Sequence, residues 1–415
     1  MVPNGWSKTY LKNIISGTIK NGYSPLPAAN ITGYWVMSLG ALTDNGINPT
    51  EIKPVELDDK VRKALLTNGD FLISRSNTPD KVGRSIRFKG EIENCSYPDL
   101  MMKFRVDPEK ADPNFLEFKL SSSEIRQYYK SCAAGSSRTM VKINKSVVEN
   151  TPLLLPSFLE QKKIAQILST WEKAITTTEQ LLANSQQQKK ALMQQLLTGK
   201  KRLLDKNGVR FSGKWKFQTI SQISKRIQRK SDGEDHPILT ISSLSGFVRQ
   251  DERYSRYMAG ESVKKYILLK QGEFAYNKGN SKTYEFGCIF DLDCYDTGLV
   301  PHVYVCFKLN QGLSHRYFKY LFEADYLKPQ LGALVNTGVR NNGLLNIKPS
   351  EFMNTKVPVP CFDEQEQIAD VLHASSETIN KLQKKLDALK QEKKALMQQL
   401  LMGKRRVKID DKEVA

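Results

Sequence analysis

With 415 residues, 40% of them hydrophobic, and a net charge of +19 from 63 Lys and Arg against 44 Asp and Glu, the chain can bury more than one core, and it favours a polyanionic partner, nucleic acid first. A basic solvated surface is the plain alternative. No apolar run reaches 18 residues, the first residues lack the apolar core of a signal peptide, and six cysteines and four histidines are scattered; no membrane span, export signal, disulfide framework, metal site or cofactor is expected, and the chain reads as cytoplasmic.

In chain order, residues 1–152 are expected to form a first α/β domain. Gly69-Asp70-Phe71 leads into a segment rich in groups that read base edges, namely Arg75, Asn77, Lys81, Arg84 and Arg87, and a later loop adds Arg138 beside Ser136 and Ser137. Arg and Lys suit guanine, and Asn suits adenine, in the major groove. Residues 153–207 follow as a spacer helix. Pro156 ends the preceding strand-like run, and Ser157 with Glu160 has capping-box spacing. Gly199 is a natural stop, after which Lys200, Lys201 and Arg202 lie at the negative end of the helix dipole. A heptad seam runs through Leu168, Trp171, Ile175, Thr178, Leu182, Ser185, Lys189, Leu192 and Leu196. Phe158 to Leu197 would make a rod of roughly 60 Å.

Residues 208–356 are expected to form a second α/β domain. Arg253 and Arg256 alternate with Tyr254 and Tyr257, as in phosphate-contacting loops, and Gly272-Glu273-Phe274 precedes Asn277, Lys278, Asn280 and Lys282. A later loop offers Arg340, Asn341 and Asn342. Residues 357–415 hold a second helix and a tail. Its seam is Leu372, Ser375, Ile379, Leu382, Leu386, Leu389, Lys393, Leu396 and Leu400, and Gly403 repeats the stop.

The two halves are one module written twice. Lys189 to Leu197 returns letter for letter as Lys393 to Leu401, and Pro156–Arg202 matches Pro360–Arg406 without a gap at 22 of 47 positions. Trp6 corresponds to Trp215, and Gly69-Asp70-Phe71 to Gly272-Glu273-Phe274. Divergent front blocks followed by similar helices fit different targets and one shared job. Where one copy is small the other is large, as in Trp171 against Ser375, so the helices are expected to share volume by packing together. Paired antiparallel, they would relate the two domains by an approximate twofold axis, like the axis of duplex DNA. Lys189 and Lys393, inside the seam, are expected to set register or face a partner.

This arrangement resembles the specificity subunit of type I restriction-modification systems over nearly the whole chain. The resemblance is carried by Leu153 to Gln161 and Val357 to Gln365, by the helix ends Ala191 to Gly199 and Ala395 to Gly403, and by Gly-Asp/Glu-Phe in each front domain. It implies two target recognition domains reading a split, asymmetric DNA site. It also implies spacer helices that dock two copies of an adenine methyltransferase subunit, to which motor-nuclease subunits add, in a bacterial or archaeal cell, with no catalytic centre in the subunit itself. Against this stand two rivals: an enzyme hidden in the front domains, and a coiled-coil adaptor indifferent to DNA sequence. Asp112-Pro113-Asn114-Phe115 is one proline short of an amino-methyltransferase loop and reads as a turn before a helix. Pro98-Asp99 with Glu117-Phe118-Lys119 fits a metal-dependent nuclease only loosely, and Lys282-Thr283 lacks the spacing of a phosphate loop.

Overall fold

A computed structural model describes residues 2–44, 46–135, 140–253, 261–335 and 345–409. Its two compact units cut across the repeat: Met1–Glu179 with Lys385–Ala415, and Gln180–Lys384. Arg138, Arg256, Arg340 and Asn341 lie outside the described residues.

In unit 1, β1 (Ser7–Tyr10) pairs antiparallel with the strand that leads into the long helix. The central elements are β2 (Ile15–Asn21), β3 (Phe71–Ser74), β4 (Ser85–Arg87) and β5 (Met101–Val106), followed by α1 (Pro113–Ser121), α2 (Ser123–Cys132), β6 (Pro152–Leu155), which is the partner of β1, and α3 (Phe158–Leu196). The strands form an antiparallel sheet in the order β2-β5-β3-β4. All four residues of β3 are buried, because both faces of this sheet are covered. Phe71 and Ile73 enter the core beneath α1 and α2, while Leu72 points into a second core with Met101, Ile86 and Phe88. This is the period-2 alternation of a strand with two apolar sides.

Unit 2 repeats the plan with β7 (Lys216–Thr219), β8 (Ser224–Ile227), β9 (Phe274–Asn277), β10 (Cys288–Asp291), β11 (Val305–Leu309), α4 (His315–Glu323), α5 (Lys328–Leu334), β12 (Lys356–Val359) and α6 (Phe362–Leu400). Its sheet order is β8-β11-β9-β10, and β7 pairs with β12 as β1 does with β6. The equivalent rings stack in both sheets, Phe71 on Phe104 at 5.3 Å and Phe274 on Phe307 at 5.5 Å. The fold class is therefore mixed α/β, with the module duplicated.

Each long helix has 39 residues, and its two ends serve different cores. Ile164, Ala165 and Leu168 from the start of α3 share the unit 1 core with Leu400 and Leu401 from the end of α6. Ile368, Ala369 and Leu372 share the unit 2 core with Met193, Leu196 and Leu197. Within unit 1 the helices run antiparallel: Glu160 meets Arg406, Glu172 meets Lys393 and Glu179 meets Lys390, each at 2.7 Å. All the seam positions are buried or half-buried.

Two expectations are corrected. In this register Glu172 faces Lys393 rather than its repeat-equivalent Ser376, so Trp171 does not lie opposite Ser375. The capping box is half made. Ser157 accepts from the Glu160 N–H at 3.3 Å, but the Glu160 carboxylate goes to Arg406 instead of returning to the cap.

Candidate nucleic-acid interface

The end of the central strand carries the candidate readers in each unit. Past β3 the chain turns so that the N–H groups of Arg75 and Ser76 donate to the Leu100 carbonyl, while the Arg75 carbonyl accepts from Ile143. Ser76–Asn77 then pairs with Val141–Lys142, and Lys142 exchanges bonds with Ala134. Residues 75–77 and both shoulders of the loop that holds Arg138 thus meet, although a long stretch of chain separates them. In unit 2 the Lys278 carbonyl accepts from Leu345, the shoulder of the loop that holds Arg340 and Asn341. The same pair of segments converges twice.

The side chains around these junctions differ. Arg75 and Asn77 are half-buried, and Asn77 donates to Ser74 at 3.2 Å and accepts from the Thr78 N–H. Asn277 and Lys278 are half-buried, whereas Asn280 and Lys282 are exposed. Asn277 accepts from the Gly279 N–H at 3.0 Å, which tightens the turn after β9. Arg253 is exposed and donates to the Ile241 carbonyl. Arg84 and Arg87 are drawn elsewhere. Arg84 binds the Leu42 carbonyl and Asp44, and Arg87 binds Asn114 and Glu117, so both guanidinium groups serve contacts inside the unit.

The Gly-Asp/Glu-Phe carboxylates are structural. Asp70, 1% exposed, receives Arg105 at 2.6 Å, Lys103 at 3.2 Å and the Thr67 N–H. Burial pushes its pKa up, but the bonds from Thr67, Arg105 and Lys103 outweigh that and hold it below the ordinary carboxylate range. Glu273 plays the same part with Arg229 and the Lys270 N–H.

Residues that could have suggested catalysis do not converge. Asp112 caps α1 by accepting from the Phe115 N–H, and Asp99 binds Ser24. Glu117 is paired with Arg87 and Lys89. Lys119 is fully buried, bound to Glu124 and to the Leu401 carbonyl at the negative end of α6. Among the described residues no three His, Cys, Asp or Glu side chains gather as metal ligands, and no helix is long and apolar enough to cross a membrane.

At the helix ends lies a feature the sequence reading did not find. Gln161 accepts from the Asp112 N–H at 2.9 Å and donates to the Pro156 carbonyl; Gln365 does the same with Ser314 and Pro360. The neighbouring Glu160 and Glu364 clasp Arg406 and Arg202. Each Arg stands just past a glycine in the left-handed region, Gly403 at φ 67° and Gly199 at φ 71°. The signal was present, since Pro156, Glu160, Gln161, Gly199 and Arg202 recur as Pro360, Glu364, Gln365, Gly403 and Arg406. Identity alone did not say that each Arg closes on the other helix.

Residues 17–184 match the family model described as the type I restriction modification DNA specificity domain. Those residues are thus similar to the DNA specificity domain of type I restriction-modification systems. Among curated relatives, the putative type I restriction enzyme MjaX specificity subunit of Methanocaldococcus jannaschii is 24% identical, over 98% of this chain and 95% of that one. The StySPI specificity subunit of Salmonella potsdam is 26% identical over 39% of this chain and 35% of its own. Two solved structures share the fold. The type I S subunit from M. genitalium aligns over 97% of this chain and 99% of that one at 13% identity and TM-score 0.56, and the HsdS subunit from Thermoanaerobacter tengcongensis over 97% and 98% at 15% identity and TM-score 0.50.

Proposed function

We propose that this chain is the specificity subunit of a type I restriction-modification system and selects DNA through two readers, one per unit, each recognising one part of a split, asymmetric sequence, leaving the chemistry to partner subunits. One observation carries the reading: the strand end after β3 or β9 and the shoulder of a later loop meet in both units, with different side chains at the two places. A shared frame with unlike readers suits two unlike half-sites. In unit 1 we assign reading to Arg75, Asn77 and the loop of Arg138, and in unit 2 to Asn277 to Lys282, the loop of Arg340 and Asn341, and Arg253 with Arg256. We place the target recognition domains at residues 1–152 and 208–356, and the site of action on DNA in the cytoplasm of a bacterial or archaeal cell.

The test is to map methylated adenines in DNA from cells that express the chain with its methyltransferase partner, before and after residues 1–152 are exchanged for those of another family member. Only one part of the recognised sequence should change. A change in both parts, or in neither, would refute two independent readers. At finer scale, Lys278→Ala should weaken binding to the cognate half-site by about 1–3 kcal/mol and spare random DNA. A parallel loss on both DNAs, with a smaller salt slope, would make Lys278 a phosphate contact instead.

For the partners we assign a groove present in both units. In unit 2 a cleft of about 940 Å³ is lined by Lys190, Met193, Gln194, Leu197 and Thr198 against Glu323 to Asp325. In unit 1 a cleft of about 300 Å³ is lined by the equivalent Lys394, Met397, Gln398, Leu401 and Met402 against Ser121 to Glu124. Matching linings at two places fit two copies of one partner, the methyltransferase subunit. Gln194→Arg and Gln398→Arg, both at exposed positions, should each reduce the number of methyltransferase subunits bound from two to one in native mass spectrometry. Two bound subunits in both variants would move the docking surface elsewhere.

A further inference from the structure

The polar groups assigned above leave unexplained three large apolar side chains held out in solvent: Leu26 at 90% exposure, Ile31 at 81% and Leu244 at 83%. Single exposed hydrophobic residues are ordinary on a protein surface. These differ in how firmly they are presented. Leu26 stands between Pro25 and Pro27, whose rings fix φ on both sides and confine Leu26 to extended backbone, which stiffens its presentation. The loop is pinned on either side of these residues, Ser24 to Asp99, Ala28 N–H to the Pro54 carbonyl and Thr32 to the Val55 carbonyl. Leu244 sits at the centre of a three-residue turn between paired strands Leu239–Ser242 and Gly246–Arg249.

Both projections are tied to the same structural turn. In unit 1, Tyr23 and Ser24 bond to Tyr97 and Asp99, and the next residue, Leu100, accepts from Arg75 and Ser76. In unit 2 the hairpin bonds to Tyr304, since the Tyr304 hydroxyl accepts from the Ile241 N–H and lies 3.1 Å from Thr240 Oγ1. Tyr304 precedes Val305, which pairs with Tyr276, so it lies beside Asn277. In each unit a stiff apolar tip is thus fastened to the turn that flanks the assigned reading strand.

We infer that Leu26 with Ile31, and Leu244, make apolar contacts with the bases of their respective half-sites, adding a water-excluding element to the polar reading. The occupant is duplex DNA: the tips are fastened to the turns that flank the assigned readers in a chain of charge +19, and base edges carry apolar surface at the thymine methyl and at opened stacks. This rests on the two-reader function proposed above. Its test uses the complex with the methyltransferase subunits and duplexes carrying the mapped sequence, that sequence with one half scrambled, or random sequence. The double variant Leu26→Ala/Ile31→Ala should lose about tenfold in affinity through the first half-site only, and Leu244→Ala the same through the second, a size ordinary for one base contact. Affinity for random DNA and the salt slope should stay unchanged, because an apolar contact releases no counterions. Full discrimination in both variants, or equal loss on cognate and random DNA, overturns the inference while leaving the two-reader function standing. A wild-type complex that prefers none of the duplexes overturns that function and the inference with it.

Discussion

Glu160 and Glu364 hold equivalent places at the start of the two long helices, and each is buried against an arginine from the end of the other helix, yet the two clasps are finished differently. In unit 2, Glu364 receives Arg202 and also the Trp215 indole N–H at 2.9 Å, with Arg202 lying over the Trp215 ring and donating to the Gly213 carbonyl. In unit 1, among the described residues, the Glu160 carboxylate receives Arg406 alone, which bonds onward to the Asn4 carbonyl, and the Trp6 indole N–H is buried with no partner. The duplicated part is the charge pair. The supporting shell drifted with the front domains, because Trp6 and Trp215 enter from them. A buried carboxylate tolerates no loss of its cation, whereas one donor more or less changes stability only modestly.

The largest effect should come from breaking the tighter clasp. Arg202 is 20% exposed and Glu364 fully buried, while Arg406 is 46% exposed. Arg202→Met should destabilise unit 2 by about 3 kcal/mol or more, since it strands a buried charge. Arg406→Met should cost unit 1 less, because water can reach the carboxylate's partner side. Adding Glu364→Gln to Arg202→Met should restore much of the loss. Urea unfolding of the three variants checks this, and equal losses for the two single variants would erase the asymmetry.

The tryptophans sharpen the same contrast. Trp215→Phe removes a hydrogen bond to a buried carboxylate and should cost about 1.5–3 kcal/mol. Trp6→Phe removes a buried N–H that no group among the described residues accepts, so it should be neutral or slightly stabilising. A penalty at Trp6 equal to that at Trp215 would mean that its N–H is satisfied in solution.

These contrasts also show what a single chain can disclose. The seam was readable because burial along a helix recurs every three or four residues, and Leu168, Leu182, Leu386 and Leu400 are all buried. The helix stops at Gly199 and Gly403 were readable because the left-handed backbone there favours glycine. Ion-pair partners were not. Arg84 and Arg87 look like base readers in a basic segment, yet Asp44 and Glu117, far away in sequence, claim them. A carboxylate announces its charge but not its neighbour. The use of Glu160 for Arg406 rather than for its own cap failed to show for the same reason.

The smallest expected effect sets the two grooves apart. Asp325 lines the unit 2 groove, where burial, opposed in part by Lys328, raises its carboxyl from 3.8 to about 6; the matching wall of unit 1 runs from Ser121 to Glu124, whose carboxylate is paired with Lys119. A raised carboxyl pKa means that folding takes up a proton between pH 3.8 and about 6. Stability from this group is therefore full below that window, falls as pH rises through it, and stays lowered at neutrality. Asn cannot ionise, and it tolerates the left-handed backbone at this residue, φ 53°. Asp325→Asn should thus stabilise unit 2 at pH 7.5 by about 1 kcal/mol, a figure reduced for the half-exposed site. The gain should disappear near pH 4. Urea midpoints at the two pH values test it, and a gain of the same size at both would assign the effect to backbone conformation rather than to charge.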